Sequence, residues 1–452
     1  MMRELSAEWI RAAVGGTFVG DPDIVVTSVW NDTRALAPGA LYVAIVGDVY
    51  DGHDFVGAAV GAGAVLCLVS RPVDAPHVLV DDVTRALGGL ARAYIALLRE
   101  EGELTVIGIT GSNGKTTTKD LLAQTLPHSV APIKSYNDAT GMPLTALGAG
   151  PDTRYLILEM GASAAGDLAY LTSIAPLDIA VVLMVGSAHA GGYGSMAGLA
   201  AEKATILDGV VPGGAGILNA DDPLVAAMTG RAPRTVTFGF GDADVCATDR
   251  TVDAGRARFT VRGERVALGL VGDHHAANAL AAIAVALECV IPVAEAAAAV
   301  SAAVPVSPHR MALYERPDGV RILDDAYNAS PESMRAAFRA LKAVAEGGRT
   351  WAVIGEMLEM GEASIAAHDF LGEDAVRLGI DHLVVVGAGA RPAFVSAVRE
   401  GSWGDEAAFV ATIDEARSLV EDRVTAGDTV LVKGSRDTGM WRLADQLMEE
   451  RS

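Results

Sequence analysis

The chain has 452 residues, enough for about three domains with a core in each. Hydrophobic residues make up 51% and charged residues 20%, an ordinary globular balance. The net charge of −22, from 35 basic and 57 acidic residues, argues against broad binding to nucleic acid or an anionic membrane, both of which call for a basic surface. An anionic ligand must therefore be held by local positive features.

Cys67, Cys246 and Cys289 are scattered and show no metal-ligand spacing, which fits a reducing cytosol. The opening MMRELSAEWIRAAVGG carries acids and no long apolar core, so no signal peptide is expected. No uncharged apolar run reaches spanning length. A cytoplasmic protein without membrane insertion is the expectation.

In chain order, residues 1–103 read as a small α/β piece. It has strands at Ile24–Val29, Leu41–Val46 and Ala64–Val69, then a helix over Thr84–Arg99. Residues 104–306 alternate strands and helices, as in a mostly parallel sheet covered on both faces. Strands are expected at Tyr155–Glu159, Ile179–Val185 and Gly216–Asn219, and a helix over Gly198–Val210. Residues 307–452 form a second such series, a Rossmann-like α/β domain. Its strands are expected at Val320–Leu323, Trp351–Ile354, His382–Val386 and Thr429–Val432. Pro305 and Pro308 mark a hinge over Val304–Pro308.

The segment Thr105–Thr118, TVIGITGSNGKTTT, carries the clearest chemistry: a short strand, a glycine-rich turn and a helix start. Gly111 and Gly114 let backbone N–H groups turn toward an anion. Lys115 supplies a charge for the β/γ-phosphates and Thr116 a hydroxyl for Mg²⁺. Thr110, Ser112, Asn113 and Thr117 complete the loop, and the helix over Thr116–Leu126 directs its dipole at the same point. The pattern predicts a P-loop mononucleotide-binding domain that grips a nucleoside triphosphate. It departs from the general form, with Ile109 where that form has Gly, five positions before Gly114-Lys115.

Other polar residues fall where a phosphate site needs them. Glu159 ends the apolar strand YLILE, either as a Mg²⁺ ligand or as a strand-end carboxylate in water. His189 lies in a Gly/Ser-rich loop, as a metal or phosphate contact or as an exposed loop residue. Lys203 falls on the apolar face with Leu199 and Ile206. Such a lysine is paired, depressed in pKa or modified, unless it snorkels to solvent. Asn278 either reads an adenine edge or caps a helix. Asp324, Asp325, Tyr327 and Asn328 follow a strand and precede a helix starting near Pro331, a ligand-contact position or a plain turn. Lys433, Ser435 and Arg436 follow the last strand, suited to an anionic substrate or to an exposed loop.

Together these motifs resemble the Mur ligases of peptidoglycan precursor synthesis, over nearly the whole chain. NDTRALAPGALYVAIVGDVYDGHDFVGAAVGAGA is similar to the uridine-diphosphate domain, TGSNGKTTTK to the ligase phosphate loop and LEMGASAAGDLAYLTSIAP to the metal-binding segment. DDAYNASPESM, IGEMLEMG and VLVKGSR resemble the class that joins D-alanyl-D-alanine to UDP-N-acetylmuramoyl-tripeptide. The DNPR signature of the sister ligase that adds a diamino acid is absent.

The resemblance implies an ATP-dependent amide ligase working through an acyl phosphate, monomeric and with two Mg²⁺ ions. It implies metal contacts from Thr116, Glu159, His189 and a carbamylated Lys203, with Lys115 catalytic. Asn278, Arg310, Asp325 and Asn328 would complete the ATP site. Thr33, Arg34, Gly47, Asp51, His53 and Asn137 would hold the UDP substrate, and Tyr327, Lys433, Ser435 and Arg436 would face the acceptor. The chain departs from the family pattern at Asp138, His275, Glu202 with Thr205, and Val185-Gly186-Ser187. A sister ligase adding one amino acid, or a non-catalytic nucleotide-binding paralogue, are the alternatives.

Overall fold

A computed structural model describes residues 2–47, 49–133, 135–186, 193–401 and 404–449. Three α/β units follow one another along the chain. The first holds a five-stranded sheet with Thr17–Val19 at one edge and Ser28–Trp30 at the other. A two-stranded ribbon pairs Leu5–Ser6 with Val25–Val26. The run expected as one strand over Ile24–Val29 is thus two short strands in different sheets. They break at Thr27, whose N–H donates to Gly39 O at 2.8 Å.

The central sheet has nine strands. Ser129–Val130, Tyr155–Glu159, Thr105–Thr110, Leu177–Val182, Val210–Asn219, Thr235–Gly239 and Val245–Asp253 pair in parallel, in that order. Arg256–Val261 and Glu264–Val271 extend it antiparallel. The alternation of side chains explains the double cover. Val106, Leu156, Leu158 and Val182 face a cluster shared with the helices Val83–Glu101, Gly141–Leu147 and Asp167–Ile174. Ile107, Ile109, Ile157 and Val181 face the other side, beneath Lys115–Thr125, His275–Glu288 and Val293–Ala302. Gly108 has no side chain because Leu177 occupies that space: a Cβ there would lie 2.6 Å from Leu177 Cδ1.

The helix expected over Gly198–Val210 ends sooner. It runs Met196–Ala204, tightens into a 3₁₀ turn over Thr205–Gly209, and Val210 opens a strand. Thr205 starts the change by donating its hydroxyl to Glu202 O at 2.7 Å. The strand expected over Ile179–Val185 stops at Val182, where the chain turns into the phosphate loop through Leu183 N–H to Thr110 O.

The last unit is a six-stranded sheet ordered Ala312–Glu315, Arg321–Asp325, Thr429–Lys433, Thr350–Ile354, His382–Val386, Ala407–Val410, parallel except at its first strand. Two apolar clusters cover its faces.

The domain junctions differ in kind. The first and central units share one apolar cluster along Val83–Glu101. There the buried Tyr94 hydroxyl donates to Ala149 O at 2.7 Å and accepts from Arg3 N–H at 2.8 Å. The central and last units meet through Val271, which is buried in the apolar cluster of the last unit, and through polar bonds around the linker. Gln124 exchanges two hydrogen bonds with the Val304 backbone, and Asp120 accepts from Ser307 N–H at 3.2 Å.

Candidate functional site

A cavity of about 620 Å³ lies between the central and last units, at the carboxyl ends of the central strands. Its floor is the turn after Thr105–Thr110. Gly111 (φ 154°) and Gly114 (φ 88°) hold conformations that a side chain would strain. The helix Lys115–Thr125 therefore begins directly after Gly114, with its first N–H groups exposed to the cavity. Ser112 locks the turn to the neighbouring strand end: its hydroxyl accepts from Gly186 N–H at 2.9 Å. Lys115 folds back to Gly111 O at 2.7 Å. Burial pulls its pKa down, and the charge of Glu159 acts the other way.

Thr116 Oγ1 lies 3.3 Å from Glu159 Oε2 and 3.2 Å from Ser135 Oγ. Glu159 is fully buried, and its Oε1 has no hydrogen-bond partner. Burial raises its pKa, while Lys115, Lys119, Arg310 and the Thr116 hydroxyl hold it down. A buried carboxylate with one unsatisfied oxygen beside a hydroxyl is a hard oxygen donor set, which suits Mg²⁺. Among the described residues no group of three His, Cys, Asp or Glu could hold a metal ion. His189 lies outside the described residues.

Lys203 is 3% exposed and lines the cavity. Burial, aided by the Lys115 charge, lowers its pKa to about 7, against the pull of Glu202. Glu202 itself is engaged elsewhere: it accepts from Gly166 and Leu168 N–H, both at 2.9 Å, at the start of Asp167–Ile174. Asp138 is likewise a cap. Its Oδ1 accepts from Thr140 and Gly141 N–H at 2.9 and 2.7 Å. Asn137 packs against Gly161, where a Cβ would come 3.0 Å from its amide.

Asn278 sits over the loop. A Cβ on Gly114 would fall 2.5 Å from its Oδ1, and its Nδ2 lies 3.1 Å from His275 Nδ1. The rings of His274 and His275 are 4.1 Å apart, and burial lowers both pKa values, that of His275 strongly. Neutral rings are the result.

The last unit closes the cavity with cations. Arg310 donates to Thr116 Oγ1 at 3.2 Å and Ser135 Oγ at 3.4 Å, and its guanidinium lies 4.0 Å from the Tyr327 ring centre. Arg436 lies 5.5 Å from the same ring. Lys433 is buried and donates to Asp325 Oδ2 at 2.6 Å and Asn328 O at 2.8 Å. Burial lowers its pKa against the attraction of Asp325. Ser435 stands behind this wall, accepting from Leu358 N–H at 2.9 Å.

Thr33, Arg34, Gly47, Asp51 and His53 belong to the first unit, away from this cavity. Arg34 is paired with Asp32 at 2.7 Å and is largely exposed. His53 is buried between Asp51 Oδ1 (2.6 Å) and Ser70 N–H (2.9 Å).

Sequence reasoning missed Ser135, Asn219, Phe238 and Ser330. Asn219 and Phe238 line the cavity from the strands Val210–Asn219 and Thr235–Gly239, the second of which was not anticipated from the sequence. Ser330 caps the helix Pro331–Val344 and exchanges hydrogen bonds with Asn113 of the phosphate loop, the shorter at 3.1 Å. Its Ser-Pro start was a legible helix signal, but its partner is 217 residues away.

Residues 109–286 match the Mur ligase middle domain, and residues 309–436 the Mur ligase, glutamate ligase domain. The chain is 43% identical to the UDP-N-acetylmuramoyl-tripeptide–D-alanyl-D-alanine ligase of Mycobacterium tuberculosis, over 99% of this chain and 98% of that one. The fold is similar to MurF from Acinetobacter baumannii, with a TM-score of 0.88, 29% identity, and coverage of 99% of this chain and 100% of that one. MurF ligase from Thermotoga maritima in complex with ADP gives a TM-score of 0.79 at 28% identity, covering 94% and 97%. The chain belongs to the Mur ligase family, and within it to the MurF class.

Proposed function

We propose that this protein is an ATP-dependent ligase that joins D-alanyl-D-alanine to UDP-N-acetylmuramoyl-tripeptide, giving the UDP-muramyl-pentapeptide. The observation that carries the reading is the cavity between the units, in which Lys115, Thr116 and Glu159 of the central unit face Arg310 of the last. Its likeness to named tripeptide–dipeptide ligases along the full chain supports the choice of substrates.

A peptide carboxylate is a poor acyl donor, because oxide would have to leave. Transfer of the γ-phosphoryl group makes an acyl phosphate, from which phosphate can leave. The amine of the dipeptide then attacks the acyl carbon, a tetrahedral intermediate forms, and its collapse gives the amide. Lys115 and Arg310 stabilise charge on the transferring group, and the Gly111–Lys115 backbone holds the phosphates. Closure by the last unit keeps water from the acyl phosphate. Thr116 and Glu159 would hold Mg²⁺, which when bound offsets phosphate charge.

Lys203 fits a carbamate. With its pKa lowered to about 7, much of it is a free amine at neutral pH. The amine lone pair attacks the carbon of CO₂ and the nitrogen loses a proton, turning a buried cation into an anion. ¹³C-bicarbonate NMR should show a carbamate carbon in wild type and none in Lys203→Ala. An active enzyme without that signal would remove the proposal.

The reading further takes the units as 1–103 for the UDP substrate, 104–306 for ATP and 307–452 for the incoming dipeptide. It takes the enzyme as a cytoplasmic monomer, with Asn137 on the UDP-substrate side and Tyr327, Lys433, Ser435 and Arg436 on the acceptor side. Among the described residues no helix is long and apolar enough to cross a membrane. The deciding experiment is ATP-dependent phosphate release with UDP-muramyl-tripeptide, comparing the dipeptide with single amino acids. Release that requires the dipeptide, with the pentapeptide product by mass, supports the reading. Release with a single amino acid moves the protein to a sister ligase.

A further inference from the structure

Arg310 leaves its own domain to reach Thr116 and Ser135. Its backbone neighbours are held in an uncommon conformation. His309 and Met311 both lie in the left-handed region, with φ of 58° and 53°. Such a conformation is costly for residues other than glycine, and persists only where the surroundings over-determine it.

Hydrogen bonds and packing on either side of Arg310 supply those surroundings. His309 Nδ1 lies 2.8 Å from Oδ2 of Asp324, a carboxylate 1% exposed whose Oδ1 accepts from Ala326 N–H at 3.2 Å. His309 O accepts from Tyr327 N–H at 3.2 Å. Met311 N–H donates to Asp325 Oδ1 at 3.2 Å, and the Met311 side chain is buried in the apolar cluster of the last unit. Between these two anchors the Arg310 guanidinium lies on Tyr327 and points into the cavity. Glycine would take φ 58° without strain but would give Asp324 nothing to bind. The histidine is there for its side chain.

We propose that His309 and Asp324 are a positioning pair whose bond fixes the strained backbone on which Arg310 is aimed at the nucleotide phosphates. Neither side chain touches the reacting atoms; both act through Arg310. The inference rests on the cavity being the ATP site of the ligase.

The test uses the full chain and two readouts: calorimetric affinity for ATP, which needs no acceptor, and kcat with D-alanyl-D-alanine. His309→Gly keeps the backbone conformation and loses the bond. It should weaken ATP binding or lower kcat about 10-fold or more, as far as Arg310→Ala does. His309→Asn should recover most of the loss, because Asn tolerates the left-handed region and its Nδ2, like His Nδ1, is one bond beyond Cγ. Asp324→Asn should reproduce part of the His309→Gly loss. In an Arg310→Ala background, His309→Gly should cost less than about twofold more.

Losses that add in the double variant, or a His309→Gly enzyme within about twofold of wild type in both readouts, would overturn the proposal. If wild type binds ATP but forms no pentapeptide, the substrate reading fails while the calorimetric cycle still decides the positioning pair.

Discussion

The metal-holding role proposed for Glu159 would set function against stability in a single residue. Its carboxylate is wholly enclosed, with one oxygen unbonded and a pKa raised by burial. A neutral isostere removes that desolvation cost. Glu159→Gln should therefore leave the ligand-free melting temperature equal or higher by calorimetry, while product formation falls by a factor of about 100 or more. Asp324 gives a pH signature. Burial lifts its pKa from 3.8 to about 6, so between those values the folded state binds more protons than the unfolded one. Its contribution to stability therefore falls as pH rises from about 4 to about 6. Asp324→Asn should flatten that part of the unfolding free energy against pH, measured by denaturant titration.

At the scale of elements, the phosphate loop was legible because its strand, glycines, lysine and helix are consecutive. The strands at His382–Val386 and Tyr155–Glu159 were legible because apolar runs were bounded by turn residues. The antiparallel extension over Val245–Val271 was not. Its strands have exposed, polar faces, and their pairing depends on each other rather than on a buried run. Two departures from the family pattern proved local: Glu202 and Asp138 cap helix starts. Asn at this position offers the same side-chain oxygen to the Thr140 and Gly141 N–H groups, so Asp138→Asn should leave stability nearly unchanged. Asp138→Ala should cost about 1 kcal/mol in chemical denaturation. The convergence of Arg310 and Ser330 on the phosphate loop was not legible as geometry, because it is made by contacts across 194 and 217 residues.

For the whole molecule, the hinge proposed over Val304–Pro308 can be tested at its own hydrogen bonds. Gln124 and Asp120 bind that segment to the same helix that begins at Lys115, so the nucleotide helix and the linker are one piece. If turnover needs the last unit to open, scattering profiles with and without nucleotide and UDP substrate should differ. Superimposable profiles would remove the hinge. Gln124→Ala should shift the ligand-free profile toward the more open form.

The shared apolar cluster under Val83–Glu101 has a thermal consequence. Sheets divide this molecule in three, but cooperativity follows burial rather than architecture. The first sheet cannot melt without uncovering Leu87, Tyr94 and the central strands they protect. Heating should therefore resolve two endotherms, the larger belonging to the first and central units together. A destabilising change at Tyr94, far from either ligand, should lower that larger transition and leave the smaller one where it was.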